Sequence, residues 1–107
     1  MDLIAVFTTV ADAAQAQAIA DAAVAQGLAA CVQTEPVHST YRWAGALRHE
    51  PEVRLMFKTT RECYPALERL VLALHPYELP ALYALPVTTA SGAYRDWVIA
   101  ATSQPTQ

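Results

Sequence analysis

Three glycines in 107 residues, Gly27, Gly45 and Gly92, are too few for a phosphate-cradling loop or a dinucleotide-binding turn. The chain also lacks a P-loop, a Gly-x-Ser-x-Gly elbow and a paired-carboxylate motif. Cysteine is equally sparse: Cys31 and Cys63 lie far apart in no Cys-x-x-Cys pattern, which suits two buried reduced thiols better than a disulfide or a zinc site. Only 16% of residues are charged, and the seven basic ones are scattered singly under a net charge of −3, which excludes the basic patch of a nucleic-acid surface. Long apolar runs are missing too. Gln15, Gln17 and Asp21 interrupt the Ala-rich segment, so it does not read as a membrane span. Met1-Asp2 leads straight into LIAVFTTV without a basic segment or cleavage site, and the expectation is a soluble, cytoplasmic protein.

What the chain has in excess is apolar surface. Hydrophobic residues make up 54%, more than an average soluble domain carries, and this points to surface buried between subunits. The length suits one domain, expected over residues 1–102, followed by a flexible polar tail at 103–107.

The stretch from Cys31 to Thr60 reads as two long strands on a tight turn: CVQTEPVHSTYRW, then Ala44-Gly45, then ALRHEPEVRLMFKTT. Val53, Leu55 and Phe57 alternate with Arg54, Met56 and Lys58, while Tyr41 and Trp43 share a face near the turn. Pro36 cannot donate to a ladder and marks a bulge or an edge. Each arm of about 14 residues spans roughly 45 Å, against a diameter of about 33 Å for a compact chain of this size. The tip should overhang its own domain, and another subunit is the natural cover for an edge that carries Tyr41 and Trp43.

Around this hairpin, Leu3–Thr9 reads as an interior strand. Asp12 and Gln15 form a capping box for a helix whose stripe is Ala16, Ile19, Ala20, Ala23 and Val24 and which Gly27 ends. Thr59 and Glu62 offer a second box, before a helix with the stripe Leu67, Leu70, Val71 and Leu74 that starts at Arg61 or later and ends at Pro76. Pro80 opens a short strand, ALYALPV, and Ser91 caps a last helix lined by Tyr94, Trp97, Val98 and Ala101. The fold class is therefore α+β: a ferredoxin-like β-α-β-β-α-β sandwich with a long central hairpin and an extra C-terminal helix.

The densest polar and aromatic signal is His75-Pro76-Tyr77-Glu78. His75, at a helix end, reads as a cap on the last carbonyls or as a ligand or acid-base group. Lys58 shares strand parity with Glu52, and Tyr41, Trp43, Tyr77, Tyr94 and Trp97 read either as the lining of a pocket around His75 or as core and interface anchors. His38 and His49 read as lone histidines of strand or turn, and no His/Cys/carboxylate cluster has metal-site spacing along the sequence.

These residues, in this order, resemble the CutA divalent-ion tolerance family over nearly the whole chain, from Ile4 to about Trp97. The motifs are Leu28-Ala29-Ala30-Cys31-Val32, Ser39-Thr40-Tyr41-Arg42-Trp43-Ala44-Gly45, Glu52-Val53, Lys58-Thr59-Thr60, His75-Pro76-Tyr77-Glu78 with Pro80, and Leu85-Pro86-Val87 followed by Tyr94 and Trp97. The resemblance implies a homotrimer, a role in the response to metal ions and no settled catalytic activity, so the chain is expected not to be an enzyme. It implies no obligatory cofactor, and copper(II) or another divalent cation as ligand. A PII-like trimer that binds small molecules or proteins in signalling or scaffolding is the alternative. The ligand cleft is expected to gather Tyr41, Trp43, Glu52, Lys58, His75, Tyr77, Tyr94 and Trp97. Metal is expected at His75 with Glu78 or Glu52, and only weakly. Where some members have a cysteine on the first strand and a histidine before His-Pro-Tyr, this chain has Phe7 and Leu74, and the usual Trp-Glu-Gly turn is Trp43-Ala44-Gly45.

Overall fold

A computed structural model describes residues 1–102, and the tail expected at 103–107 lies outside the described residues. In chain order the elements are β1 (Leu3–Val10), α1 (Ala13–Ala25), β2 (Cys31–Trp43), β3 (Ala46–Thr60), a 3₁₀ turn (Arg61–Cys63), α2 (Tyr64–Leu74), β4 (Leu82–Val87) and α3 (Gly92–Ala101). The strands pair antiparallel in the order β2-β3-β1-β4, the ferredoxin-like arrangement with α3 added.

One face of the sheet is covered by α1 and α2. Ile4, Val6 and Val10 of β1 and Leu55 and Phe57 of β3 point into this core against Ala16, Ile19, Ala20 and Ala23 of α1 and Leu67 and Val71 of α2. The small side chains of α1 let its backbone lie close on the strands. Asp12 caps α1 through its carboxylate, which accepts from the Gln15 N–H at 2.8 Å. At the other end Gly27 takes φ +70°, and the Gly27 and Leu28 N–H groups reach back to the Val24 and Ala23 carbonyls in a Schellman closure.

Several expectations require correction. Val24 and Leu74 are not part of the buried stripes: they are 45% and 47% exposed. Val24 sits at the margin of the α1 stripe, and Leu74 is the last helical residue before the chain turns away at His75-Pro76. Thr59 caps no helix, because β3 continues through it and its hydroxyl donates to the Leu28 carbonyl at 2.7 Å inside the core. Cys63 is buried as expected, whereas Cys31, at the start of an edge strand, is only half-buried. On α3 only Val98 is buried, and Tyr94 and Trp97 are 37% and 49% exposed.

The hairpin follows its expected bounds, and β2 and β3 stay in unbroken register from Cys31↔Lys58 to Trp43↔Ala46. Pro36 therefore marks an edge strand rather than a bulge. Because β1 ends at Val10↔Val53, the hairpin beyond Glu52 is a ribbon of two strands, with no third strand among the described residues. It stretches the molecule to 45 × 30 × 21 Å. Both turn residues have positive φ, Ala44 at 52° and Gly45 at 78°, which gives a type I′ turn matched to the twist of the strands. Glycine adopts this geometry freely, but alanine pays about 1–2 kcal/mol for the left-handed region. Replacing Ala44 with Asn should therefore stabilise the protein by about 0.5–1 kcal/mol. Gly45→Val should destabilise it through backbone strain alone, since a Cβ there meets nothing within 4 Å. Urea denaturation of both variants checks the pair.

Candidate functional site

Where β1 stops, the loop after α2 crosses to the ribbon. Pro76 holds His75 in extended geometry (φ −73°, ψ 131°), which ends α2 and turns the imidazole inward. The ring is buried and edge-on to Tyr77, with centroids 4.8 Å apart. The Tyr77 N–H donates to Nδ1 at 3.2 Å. A backbone amide can only donate, so Nδ1 is the bare nitrogen and Nε2 carries the proton. That proton faces the Thr9 carbonyl at 2.9 Å and the Thr8 hydroxyl oxygen at 3.1 Å. His75 is thus a neutral ring with both nitrogens bonded to the protein, and it ties the loop to the end of β1. It is not a cap on the helix carbonyls, although its backbone N–H does close the helix onto Val71.

Tyr77 carries the connection onward. Its hydroxyl donates to Glu52 at 2.6 Å, at the residue where the ribbon begins. Glu50, next on the same face, accepts from the Tyr41 hydroxyl. Burial, then the bond to Glu52, raises the Tyr77 phenol well above its usual range, and the bond to Glu50 is the main cause of an upward shift at Tyr41. Both phenols therefore act as hydrogen-bond donors rather than as bases. Desolvation pushes His75 down from the ordinary value of 6.5, and the Thr9 carbonyl and the Glu52 carboxylate oppose it only in part.

The remaining expected residues lie elsewhere. Lys58 reaches over the Tyr94 ring, with Nζ 5.7 Å from its centroid, and Tyr94 packs against Trp97 at 5.8 Å. Glu52 and Lys58 are six positions apart on β3, or about 20 Å along the strand. Within one chain the expected cleft is thus two groups: His75, Tyr77 and Glu52 at the base of the ribbon, with Tyr41 nearer the tip bonded to Glu50, and Lys58, Tyr94 and Trp97 beside α3. Trp43 stands exposed at the ribbon tip and Glu78 on the loop. Among the described residues, no group of three or more His, Cys, Asp or Glu side chains gathers at a spacing that could hold a metal ion. A cation at His75 would first have to displace the Tyr77 amide or the Thr9 carbonyl.

Sequence reasoning missed a further cluster on the sheet face turned away from α1 and α2, beyond the part that α3 covers. Phe7 stacks on Tyr83 at 5.4 Å, and Arg54 lies 5.7 Å from the Phe7 centroid while bonding Glu35 at 2.5 and 3.0 Å. The signal was strand parity across neighbouring strands, which becomes visible once the β1 registers are known.

The model of the CutA1 divalent ion tolerance protein family matches residues 4–101. The chain belongs to the CutA1 family. The divalent-cation tolerance protein CutA of Thermus thermophilus is 42% identical over 94 residues, covering 87% of this chain and 91% of that protein. The mouse protein CutA is 39% identical over 95 residues, covering 88% of this chain, which spans only 54% of the mouse protein. The CutA structure of Synechococcus elongatus superposes with a TM-score of 0.92 at 45% identity, over 95% of this chain and 91% of that one.

The geometry at His75 sets a pH dependence. Its folded pKa is depressed, so the unfolded chain takes up the proton first, and the stability held by the neutral ring is complete above pH 6.5 and lost as pH falls through and below it. Denaturation between about pH 7.5 and 5 should show this decline, and His75→Gln should flatten it. Tyr77→Phe, which leaves the ring but removes the donor to Glu52, should cost about 1 kcal/mol at neutral pH.

Proposed function

We propose that the chain is a homotrimeric divalent-cation tolerance protein of the cytoplasm, without catalytic activity, in which the Tyr41/Trp43 face of the ribbon and the sheet face that continues it through Arg54 are the assembly surface. The observation that carries this reading is the bare ribbon: Tyr41 and Trp43 are 38% and 42% exposed on one face of a hairpin to which no third strand pairs among the described residues. An isolated two-stranded hairpin is marginal in water, and apolar side chains on a free edge invite pairing with another chain. A head-to-tail contact that closes after three copies covers every edge without opening a filament. The half-buried aromatics and the Arg54–Glu35 pair on the sheet face suit the same contact.

Membership of a family named for divalent-ion tolerance supports the cation role. The lack of a free nitrogen at His75 supports reading any cation contact there, with Glu52 or Glu78, as weak. It also argues against proton transfer by that ring. No helix among the described residues is long and apolar enough to cross a membrane.

Light scattering at micromolar concentration should give the mass of three chains, and a monomer mass would end the reading. The midpoint of thermal unfolding should rise with protein concentration. Trp43→Asp should weaken assembly about tenfold or more, since it replaces an exposed aromatic anchor with a charge.

A further inference from the structure

We propose that His38 and His49 form a two-imidazole site for a borderline-soft divalent cation, copper(II) or zinc(II), on the ribbon face opposite Tyr41 and Trp43. The sequence holds these histidines apart on separate arms, and only the register brings them together. His38 pairs with Pro51, and His49 pairs with Thr40, so the two imidazoles are diagonal neighbours on one face. Diagonal positions across an antiparallel pair lie about 7–8 Å apart or less, within reach of side chains of this length. Both residues are exposed, so no core contact has to be broken to free them.

A second observation concerns the ring of His49. The Thr40 hydroxyl lies 3.3 Å from its Nδ1. In the tautomer where this hydroxyl accepts the Nδ1 proton, Nε2 keeps its lone pair for a metal, the outer-shell arrangement found around ligating histidines. Imidazole donors suit copper, zinc and nickel, with copper(II) at the head of the affinity order, whereas magnesium and calcium demand oxygen ligands. The carboxylates Glu50 and Glu52 lie on the other face, and Arg42 is the next charged residue on this one. The chain therefore supplies two donors and water completes the sphere, which keeps affinity below that of a three-ligand site.

The inference rests on the cation-tolerance reading for its purpose and deepens it by naming donors, but its test is independent of assembly. The full chain is titrated calorimetrically with copper(II), with magnesium as the hard-cation control, while the histidine ring signals are followed by NMR. One copper(II) should bind per chain, magnesium should not bind, and the His38 and His49 signals should broaden before those of His75. His38→Gln and His49→Gln should each weaken uptake about tenfold or more, and Thr40→Val, which keeps both donors, should weaken it about tenfold. Circular dichroism should find all three variants folded, since the positions are exposed. Undiminished uptake in the double variant His38→Gln/His49→Gln, broadening that begins at His75, or no uptake by the unmodified chain would overturn the site. A trimer that takes up no copper(II) leaves the assembly reading standing and removes this one. A monomer that binds copper(II) through these two rings does the reverse.

Discussion

The unbroken register of β2 on β3 is the constraint on which the rest of the structure depends. A slip of one residue would exchange the faces of a whole arm, sending Val32 out of the core and Cys31 into it. The same register puts Tyr41, Glu50 and Glu52 on one side of the ribbon and His38, Thr40 and His49 on the other. It is pinned at both ends. The type I′ turn fixes the tip, and the burial of Leu55, Phe57 and Thr59 fixes the base.

The loop after α2 is the second organiser, and it works through one neutral ring. A buried polar side chain is tolerated when each of its hydrogen-bonding atoms is satisfied, and His75 meets that condition through Thr8, Thr9 and Tyr77. From there Tyr77 spans to Glu52, so the end of α2, the end of β1 and the start of the ribbon are joined by side chains rather than by a ladder. This explains how a ribbon of two strands still leaves the body of the protein at a defined place.

The fold was legible because its signals are local and repeated: period-two alternation in β3, the Asp12 cap, Gly27 at the close of α1, and Pro76 at the close of α2. Thr59 shows where such local signals mislead. Thr59 has the spacing of a cap but lies inside a strand that runs to Thr60, and its hydroxyl found a buried carbonyl instead. Tyr94 and Trp97 recur at helical spacing, yet in one chain that face of α3 meets mainly each other and Lys58. At the candidate site, the importance of His75 could be read from the motif, but its partners could not. Thr8 and Thr9 contribute a hydroxyl and a carbonyl from a strand more than sixty residues earlier, and nothing in a β-strand sequence announces which carbonyl will be used.

Pro36 has a consequence for how the outer edge of β2 meets another strand. Proline in an edge strand directs its missing donor outward, so the edge presents an interrupted row of N–H groups rather than a uniform one. An incoming strand that slides along it loses a bond wherever a carbonyl falls opposite that gap, and only some alignments avoid the loss. The edge therefore behaves as a keyed rail. It accepts a partner in a preferred offset and resists the indiscriminate stacking that a long bare strand would otherwise template.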